Sequence, residues 1–270
     1  LTSAGVQSNL SRSQLMIWTG QQLNPGVPLY NMALRFDLQG DIEVEVFQSA
    51  FQALIDRCDA MRTVFVEQAG VPMQHVQPRM NYRMELIDLA DEPDVAAAVE
   101  KWILQRSQLE FDLGACCFDS ALIRKGPASL VWYLNQHHLT TDAWSTSLIY
   151  RELASLYDRL LAGGLHEDGE PLPAYADYLA YERKQRGTPV YTNAVTYWDE
   201  LAARQTPRVN MYGQNPAVRG NRTERLVCPL GQDRSQALRK LAETPGIRML
   251  SLDMTLFKLF ATVLFAYLYR

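Results

Sequence analysis

Two adjacent histidines, His137 and His138, are the residues whose type and spacing most directly suggest chemistry. They lie in WYLNQHHLTTDAWSTSL, residues 132–148, in a chain with only four histidines. Asp142 follows after three further residues. A neutral imidazole can accept a proton from an amine or hydroxyl, and a carboxylate can hydrogen-bond an imidazole or pair with an arginine to hold the loop. The segment therefore predicts an acid–base site, with two structural histidines as the open alternative.

Other active-site chemistries have less support in the sequence. No third ligand follows the histidines at helical spacing, and neither HExxH nor a cysteine pair is present to complete a metal site. A GxSxG elbow is absent, so Ser145 is assigned to the first turn of a helix. Phosphate loops of the GxGxxG or GxxxxGK type are also absent. We therefore predict no metal site and find no sign of a nucleotide cofactor.

The flanking segments predict that the histidines lie in a strand-to-helix loop, where a rigid scaffold can present polar side chains. Residues 121–136 read as two strands around Gly126-Pro127. Residues 143–163 read as a helix that Asp142 or a preceding threonine caps, and that Gly163-Gly164 ends. Its predicted buried stripe consists of Leu148, Ile149, Leu153, Leu156 and Leu160.

Upstream of this loop, strand and helix patterns alternate. Leu34 to Gly40 predicts a strand, residues 63–70 and 71–78 predict two more, and helices are predicted from Val44 to Cys58 and after Pro93. The fold class is therefore α/β (α+β). GGLHEDGEPLP, residues 163–173, is polar and rich in Gly and Pro, which is typical of a linker. We predict a first lobe over residues 1–163, a linker over 164–174 and a second lobe over 175–270.

The second lobe is predicted to be mainly helical. Helices are expected over residues 175–187, 191–205, 233–243 and 252–270, with an irregular stretch over 206–222 and a strand over 223–230. Asp253 and Lys258 leave the last helix too short an uninterrupted apolar run for a membrane span of about 20 residues, so it is predicted to be a core helix. Because no further segment covers its apolar side chains, we expect this lobe to be incomplete.

Composition and charge narrow the class of protein. The chain has 270 residues, 47% of them apolar, and a net charge of -4 without a basic stripe, so a nucleic-acid partner is not predicted. No signal or transit peptide is visible, which indicates a cytoplasmic protein. The four cysteines lack CxxC spacing and are predicted to be reduced: Cys58, Cys116, Cys117 and Cys228.

Several motifs, in order along the chain, resemble those of condensation domains of non-ribosomal peptide synthetases, which belong to the chloramphenicol-acetyltransferase-like superfamily. HHLTTDAWS resembles HHxxxDG, and LSRSQLMIW resembles LSxAQxRLW. RCDAMRTVF is similar to RHExLRTxF, GVPMQHV to GxPxQxV, and EFDLGACCFDSALIR to PFDLxxGPLLRAxL. YADYLAYERKQ and YWDEL resemble the entry to the second lobe. The resemblance implies a mixed sheet flanked by helices, with the second lobe truncated.

The resemblance also implies an activity and a site. Such domains form an amide bond between a donor and an acceptor that carrier proteins of neighbouring modules present as phosphopantetheine thioesters, without a directly bound cofactor or a membrane. His138 corresponds to the catalytic histidine, read either as a general base or as a group that orients the amine, while His137 and Asp142 support it. Ala143 and Trp144 occupy motif positions at the substrate tunnel. Arg62, in RTVF, is expected to be structural.

Departures from the motifs leave other functions open. Ala143 replaces the motif glycine, Cys58 and Asp59 replace the histidine and glutamate of RHExLRTxF, and the later DFGWG motif is absent. We therefore expect this chain alone to be inactive or nearly so. Two alternatives are transfer of an acyl group, from coenzyme A for instance, to a soluble amine or alcohol, and a non-catalytic platform that recruits a carrier or partner protein.

Overall fold

The computed structural model describes residues 7–164, 172–204 and 226–269. The helices in these ranges are α1 (Arg12–Gln22), α2 (Val44–Arg57), α3 (Val95–Ser107), α4 (Ala143–Leu161), α5 (Tyr175–Gln185), α6 (Pro189–Ala203), α7 (Gly231–Ala242) and α8 (Leu252–Tyr269). The strands are β1 (Asn31–Gln39), β2 (Thr63–Gln68), β3 (Val71–Val76), β4 (Glu85–Asp88), β5 (Phe118–Gly126) and β6 (Ser129–His137). A short 3-10 helix, Asp59–Arg62, joins α2 to β2.

A four-stranded mixed sheet carries the double histidine. Its strand order is β1-β6-β5-β4, in which β4 and β5 are parallel and the other pairs antiparallel. The prediction of a mixed sheet flanked by helices is confirmed. Residues 130–137 of β6 are all buried, because β6 has a neighbouring strand on each side and packed side chains on both faces.

Helices cover both faces of this sheet. On one face α2 and α4 enclose the main core, which includes Phe51, Leu54, Trp132 and Leu153. On the other face Val99 of α3 packs with residues of β5 and β6. Burying a side chain of this size contributes about 1.5–3 kcal/mol, so the two cores together fix the strand that ends at the histidines.

The β2–β3 hairpin turns at Ala69 and Gly70, as the sequence predicts. Both residues have positive φ, 52° and 78°. A two-residue hairpin turn with positive φ at both central positions is type I′, whose twist matches the flanking strands. Glycine supplies this conformation without strain, whereas Ala69 occupies the left-handed region despite its Cβ.

Two elements were not predicted, and one predicted stripe is partly wrong. The helix α1 and the four-residue strand β4 were missed, the latter because a strand this short carries little periodic signal. In α4, Ile149, Leu153 and Leu156 are buried as predicted, but Leu148 is 50% exposed. Adjacent residues of a helix differ by about 100°, so Leu148 turns away from the stripe that begins at Ile149.

The chain forms two compact units, residues 1–211 and 212–270. The first unit includes α5, whose Tyr175 N–H donates to Asp59 Oδ2 at 2.8 Å. The lobe boundaries over 1–163, 164–174 and 175–270 stay a prediction, and residues 165–171 of the linker lie outside the described residues, as does the irregular stretch 206–222. The predicted helices of residues 175–205 are present as α5 and α6.

The second unit, as far as it is described, departs from the sequence prediction in two ways. The prediction of a strand over residues 223–230 is wrong for the described part, because residues 226–230 form no strand. The prediction that α8 is a core helix is also wrong within the described part of this unit, since Thr255 is the one buried residue of α8 there. Most of the large apolar side chains of α8 are exposed, and α7 contacts this helix. Of the described helices, α8 alone has the length and composition that could cross a membrane.

Candidate functional site

The backbone of the double histidine is held by neighbouring strands and loops. The strand β6 ends at His137 and α4 begins at Ala143, so the predicted strand-to-helix loop is present. The N–H of His137 donates to the carbonyl of Cys117 at 2.8 Å, and that of His138 donates to the carbonyl of Tyr30 at 2.9 Å. These bonds fix the two residues from opposite sides of β6.

The imidazole of His138 is exposed and held in one orientation. Its Nδ1 lies 2.6 Å from the carbonyl oxygen of Thr141. Because a carbonyl only accepts, Nδ1 must carry a proton, and the neutral ring then has its lone pair on Nε2. Among the described residues, Nε2 of His138 has no hydrogen-bond partner. The ring is therefore suited to accept a proton or hydrogen bond at Nε2.

His137 has the opposite arrangement. Its side chain is 2% exposed, and its Nδ1 accepts the N–H of Leu139 at 3.2 Å. The proton of the neutral ring is therefore on Nε2, which is buried without a hydrogen-bond partner among the described residues. Burial, and secondarily the neighbouring His138, lowers the pKa of His137 to about 4. This residue is neutral at physiological pH and is packed against the ring edges of Tyr30 and Phe111.

Asp142 caps α4, which decides between the two caps that the sequence left open. Its Oδ1 accepts from the N–H and from the hydroxyl of Ser145, each at 2.7 Å. These two donors are the main reason why the pKa of Asp142 is lowered. Within the described part of the chain Asp142 forms no hydrogen bond to an imidazole and no ion pair with an arginine. It therefore holds the loop through the helix that follows.

A cavity of about 500 Å³ opens beside His138. Its lining comes from the starts of α1 and α4, the β2–β3 hairpin, the histidine loop and α5, and includes Gln14, Thr63, Gln74, His138, Asp142, Ser145, Tyr175 and Tyr178. Of the sequence-predicted site residues, this cavity brings together His138 and Asp142. A pocket of this size is suited to a small organic substrate, and its many polar side chains could hydrogen-bond such a molecule.

The other predicted positions lie outside this cavity lining. Ala143 and Trp144 start α4, and Trp144 is 72% exposed. Arg62 is half-buried, and its guanidinium donates to the carbonyl of Ile55 at 3.0 Å and to that of Gln77. These bonds join the end of α2 to the segment after β3, as a structural arginine would. Nearby, burial raises the pKa of Cys58, which disfavours a nucleophilic thiolate.

Sequence reasoning missed two buried amides in the cavity wall, Gln14 and Gln74. Gln14 follows Ser11 by three residues and forms a capping box with it. The spacing S-x-x-Q was a readable signal of a helix start. Gln74 is the Q that GVPMQHV shares with GxPxQxV, but the match gave it no role, because its partners are distant in sequence.

His137 lines a second cavity, of about 390 Å³, on the other side of the loop. Its walls include the rings of Trp18, Phe65 and Phe111. Among the described residues, no group of three or more His, Cys, Asp or Glu side chains is arranged to hold a metal ion.

The sheet, its covering helices and the histidine loop define the chloramphenicol-acetyltransferase-like architecture. The family model of the condensation domain matches residues 7–264, and the chain belongs to this family. A linear gramicidin synthase from Brevibacillus parabrevis is 29% identical over 97% of this chain and 3% of its own length. A dimodular nonribosomal peptide synthase of Bacillus subtilis (strain 168) is 31% identical over 72% of this chain and 8% of that protein.

Solved structures give the same family. The starter condensation domain of the rhizomide synthetase RzmA, solved as a variant in complex with C8-CoA, is 26% identical, with a TM-score of 0.70 over 76% of this chain and 47% of that one. The first condensation domain of the CDA synthetase shares the fold, with 21% identity and a TM-score of 0.67 over 76% of this chain and 52% of that one. The chain thus spans about half the length of these solved structures.

Proposed function

We propose that this chain contributes the histidine-bearing part of a condensation domain that joins an acyl or peptidyl donor to an aminoacyl acceptor through an amide bond. One observation carries the proposal: His138 donates through Nδ1 to Thr141 and leaves Nε2 unpaired beside a cavity of about 500 Å³. Membership of the condensation family supports the reaction type.

The proposed step is attack of the acceptor's amine nitrogen on the thioester carbonyl carbon of the donor. The C–N bond forms, the C–S bond breaks, and the thiol leaves with the proton that the amine gives up. His138 Nε2 is placed to accept that proton, or to accept a hydrogen bond from the amine and so orient it. General-base help of this kind contributes about 10²–10⁴-fold to a rate, and holding both substrates in line contributes further.

The proposed substrates are thioesters on the phosphopantetheine arms of carrier proteins, and the proposed partners are those carriers and neighbouring synthetase modules. The similarity to a dimodular nonribosomal peptide synthase supports this assignment. We propose a cytoplasmic location without a directly bound cofactor. We assign α8 to the condensation fold rather than to a membrane, because the family match continues to residue 264, well into that helix.

A second candidate is transfer from a coenzyme A thioester to a soluble amine or alcohol. The observation that favours it is the complex of the RzmA starter condensation domain with C8-CoA. The two candidates differ in what carries the donor acyl group, a carrier protein or coenzyme A. Comparing turnover with carrier-bound and with coenzyme A-bound acyl groups therefore separates them.

The test uses a protein that contains the complete condensation domain, called the full-length protein below. It compares His138→Ala with wild type, and product formation is measured from loaded carrier proteins and from acyl-coenzyme A. We expect at least about a hundredfold loss of turnover for His138→Ala. His75→Ala is a matched control, because His75 is an exposed histidine on β3 outside the cavity lining, and should keep wild-type turnover. Normal condensation by His138→Ala would refute the catalytic role of His138, and the rate would then rest on substrate positioning.

We also propose that the isolated 270-residue chain is inactive or nearly so. Its span of about half of the matched condensation domains supports this. Full turnover by the purified chain with both loaded carriers would overturn it.

A further inference from the structure

The amide of Gln14 contacts the histidine loop from a distant part of the chain. Its side chain is buried, and Nε2 donates to the carbonyl oxygen of Leu139 at 3.0 Å, across 125 residues of sequence. Oε1 accepts the N–H of Ser11 at 3.0 Å. The two backbone partners fix the orientation of the amide, because the Leu139 carbonyl only accepts and the Ser11 N–H only donates.

Gln74, on β3, completes this arrangement. The two glutamines form a reciprocal amide pair, with each Nε2 at 3.2 Å from the other's Oε1. Gln74 Nε2 also donates to the carbonyl of Asn9 at 3.0 Å, and the Gln74 N–H donates to Asn9 Oδ1 at 2.8 Å. Gln14 thus uses both donors and both acceptors of its amide, and Gln74 holds it from behind.

The position of Leu139 makes this contact relevant to His138. Leu139 follows His138 directly, and its own N–H is held by His137 Nδ1. The remaining bonds of the loop are mostly local, since His138 Nδ1 bonds Thr141 and the Thr140 N–H donates to His137. Within the described residues, Gln14 supplies the long-range side-chain anchor to the loop backbone after His138.

We propose that Gln14, backed by Gln74, is a positioning residue for His138. The amide holds the Leu139 carbonyl and thereby the turn in which the Thr141 carbonyl accepts the hydrogen bond from Nδ1, so that Nε2 faces the cavity. Gln14 acts through the backbone and does not touch the reacting atoms. The inference rests on the proposed function, because it assigns to Gln14 the placement of the group that function uses.

The test is Gln14→Met in the full-length protein, because methionine keeps the approximate length of the side chain and removes all four hydrogen bonds. A misplacement of about 1 Å can cost about a hundredfold in rate, so we expect kcat to fall by about ten- to a hundredfold. KM should change by less than about threefold, because the cavity lining is otherwise retained. Gln74→Met should give a smaller loss, since Gln14 keeps its two backbone partners.

Gln48→Met is the matched control. Gln48 on α2 has the same chemistry as Gln14, donating to the carbonyl of Tyr82 at 2.9 Å and accepting the N–H of Met84 at 2.7 Å, in a region outside the His138 cavity. Thermal unfolding reports the stability cost of each variant, and kcat is expressed per folded molecule. Gln14→Met removes four hydrogen bonds and Gln48→Met removes two, so the stability costs can differ. A purely structural role for Gln14 predicts that kcat per folded molecule is unchanged in both variants.

The ring nitrogen chemical shifts of His138 in the isolated 270-residue chain give a second readout. Gln14→Met should shift the tautomer population away from protonated Nδ1, whereas Gln48→Met should not. If Gln14→Met keeps wild-type kcat and tautomer while His138→Ala loses turnover, the positioning role is wrong and the proposed function survives. If His138→Ala keeps turnover, both fail, because there is no catalytic histidine to position.

Discussion

Replacing Asp142 separates a capping role from a chemical one. Its Oδ1 accepts from the Ser145 N–H and hydroxyl at 2.7 Å each, in the first turn of α4. Alanine removes both bonds, and loss of such an N-cap costs about 1 kcal/mol. Asparagine keeps an acceptor oxygen at the same position and is an equally good N-cap, so Asp142→Asn should change the free energy of unfolding by a few tenths of a kcal/mol.

The same contrast should hold for turnover. Asp142 forms no bond to His138 in the described residues, so Asp142→Asn should keep most of the activity of the full-length protein. Asp142→Ala loosens the turn that follows the histidine loop and should lower kcat. Asp94→Ala is the matched control, because Asp94 caps α3 in the same way, accepting the Ala97 N–H at 3.0 Å, away from the cavity. It should lose similar stability and no activity.

Thermal unfolding and product formation measure the two effects. The pKa of Asp142 is lowered in the folded state, chiefly by the Ser145 N–H. Its charged form therefore stabilises the fold above the unfolded pKa of about 4, and this contribution is lost as the pH falls through the folded value. The stability difference between wild type and Asp142→Asn should shrink in that range. If Asp142→Asn instead lost as much turnover as Asp142→Ala at unchanged stability, the capping account would be refuted, because the charge itself would be required.

Two further predictions concern the ion pair between Asp119 on β5 and Arg106 on α3, and the buried histidine His137. Asp119→Asn should lower the urea stability by about 2 kcal/mol, because Asp119 binds Arg106 bidentately at 2.6 and 3.0 Å; an unchanged midpoint would contradict this. His137 has a pKa of about 4 in the fold against about 6.5 when unfolded, so wild-type stability should decrease by up to about 3 kcal/mol as the pH falls between these values. His137→Asn, which keeps an acceptor for Leu139 N–H, should show a flatter stability profile, and an identical profile would argue against a buried neutral imidazole.

Local patterns predicted the elements around the site well. The turn at Gly126-Pro127 and the helix after Asp142 follow from strong short-range signals, namely turn residues and an N-cap before an apolar stripe. Motifs in order along the chain gave the family, which the family match confirms. The strand β6 and the helix α4 then place the histidines in the loop between them.

Long-range contacts could not be predicted in this way. The bond from Gln14 to Leu139 spans 125 residues, and no pattern in a single sequence assigns an amide to a distant carbonyl. The placement of Arg62 is a similar case: its motif led to the expectation of a structural arginine, but the motif did not give its partners, the carbonyls of Ile55 and Gln77. The motifs identified these residues from the sequence. Which residues contact one another depends on how the folded chain packs.

The two adjacent histidines have different roles because of where β6 ends. Successive side chains of a strand point to opposite faces, so His137 is buried near Phe111 while His138 reaches the cavity beside α4. The backbone then sets opposite tautomers: Nδ1 of His137 accepts the Leu139 N–H, whereas Nδ1 of His138 donates to the Thr141 carbonyl. The Leu139 N–H can only donate and the Thr141 carbonyl can only accept, so a change of tautomer in either ring would break its hydrogen bond to the loop backbone. The turn after His137 thus leaves the lone pair of His138 on Nε2, the atom that the proposed chemistry uses, while His137 itself is buried.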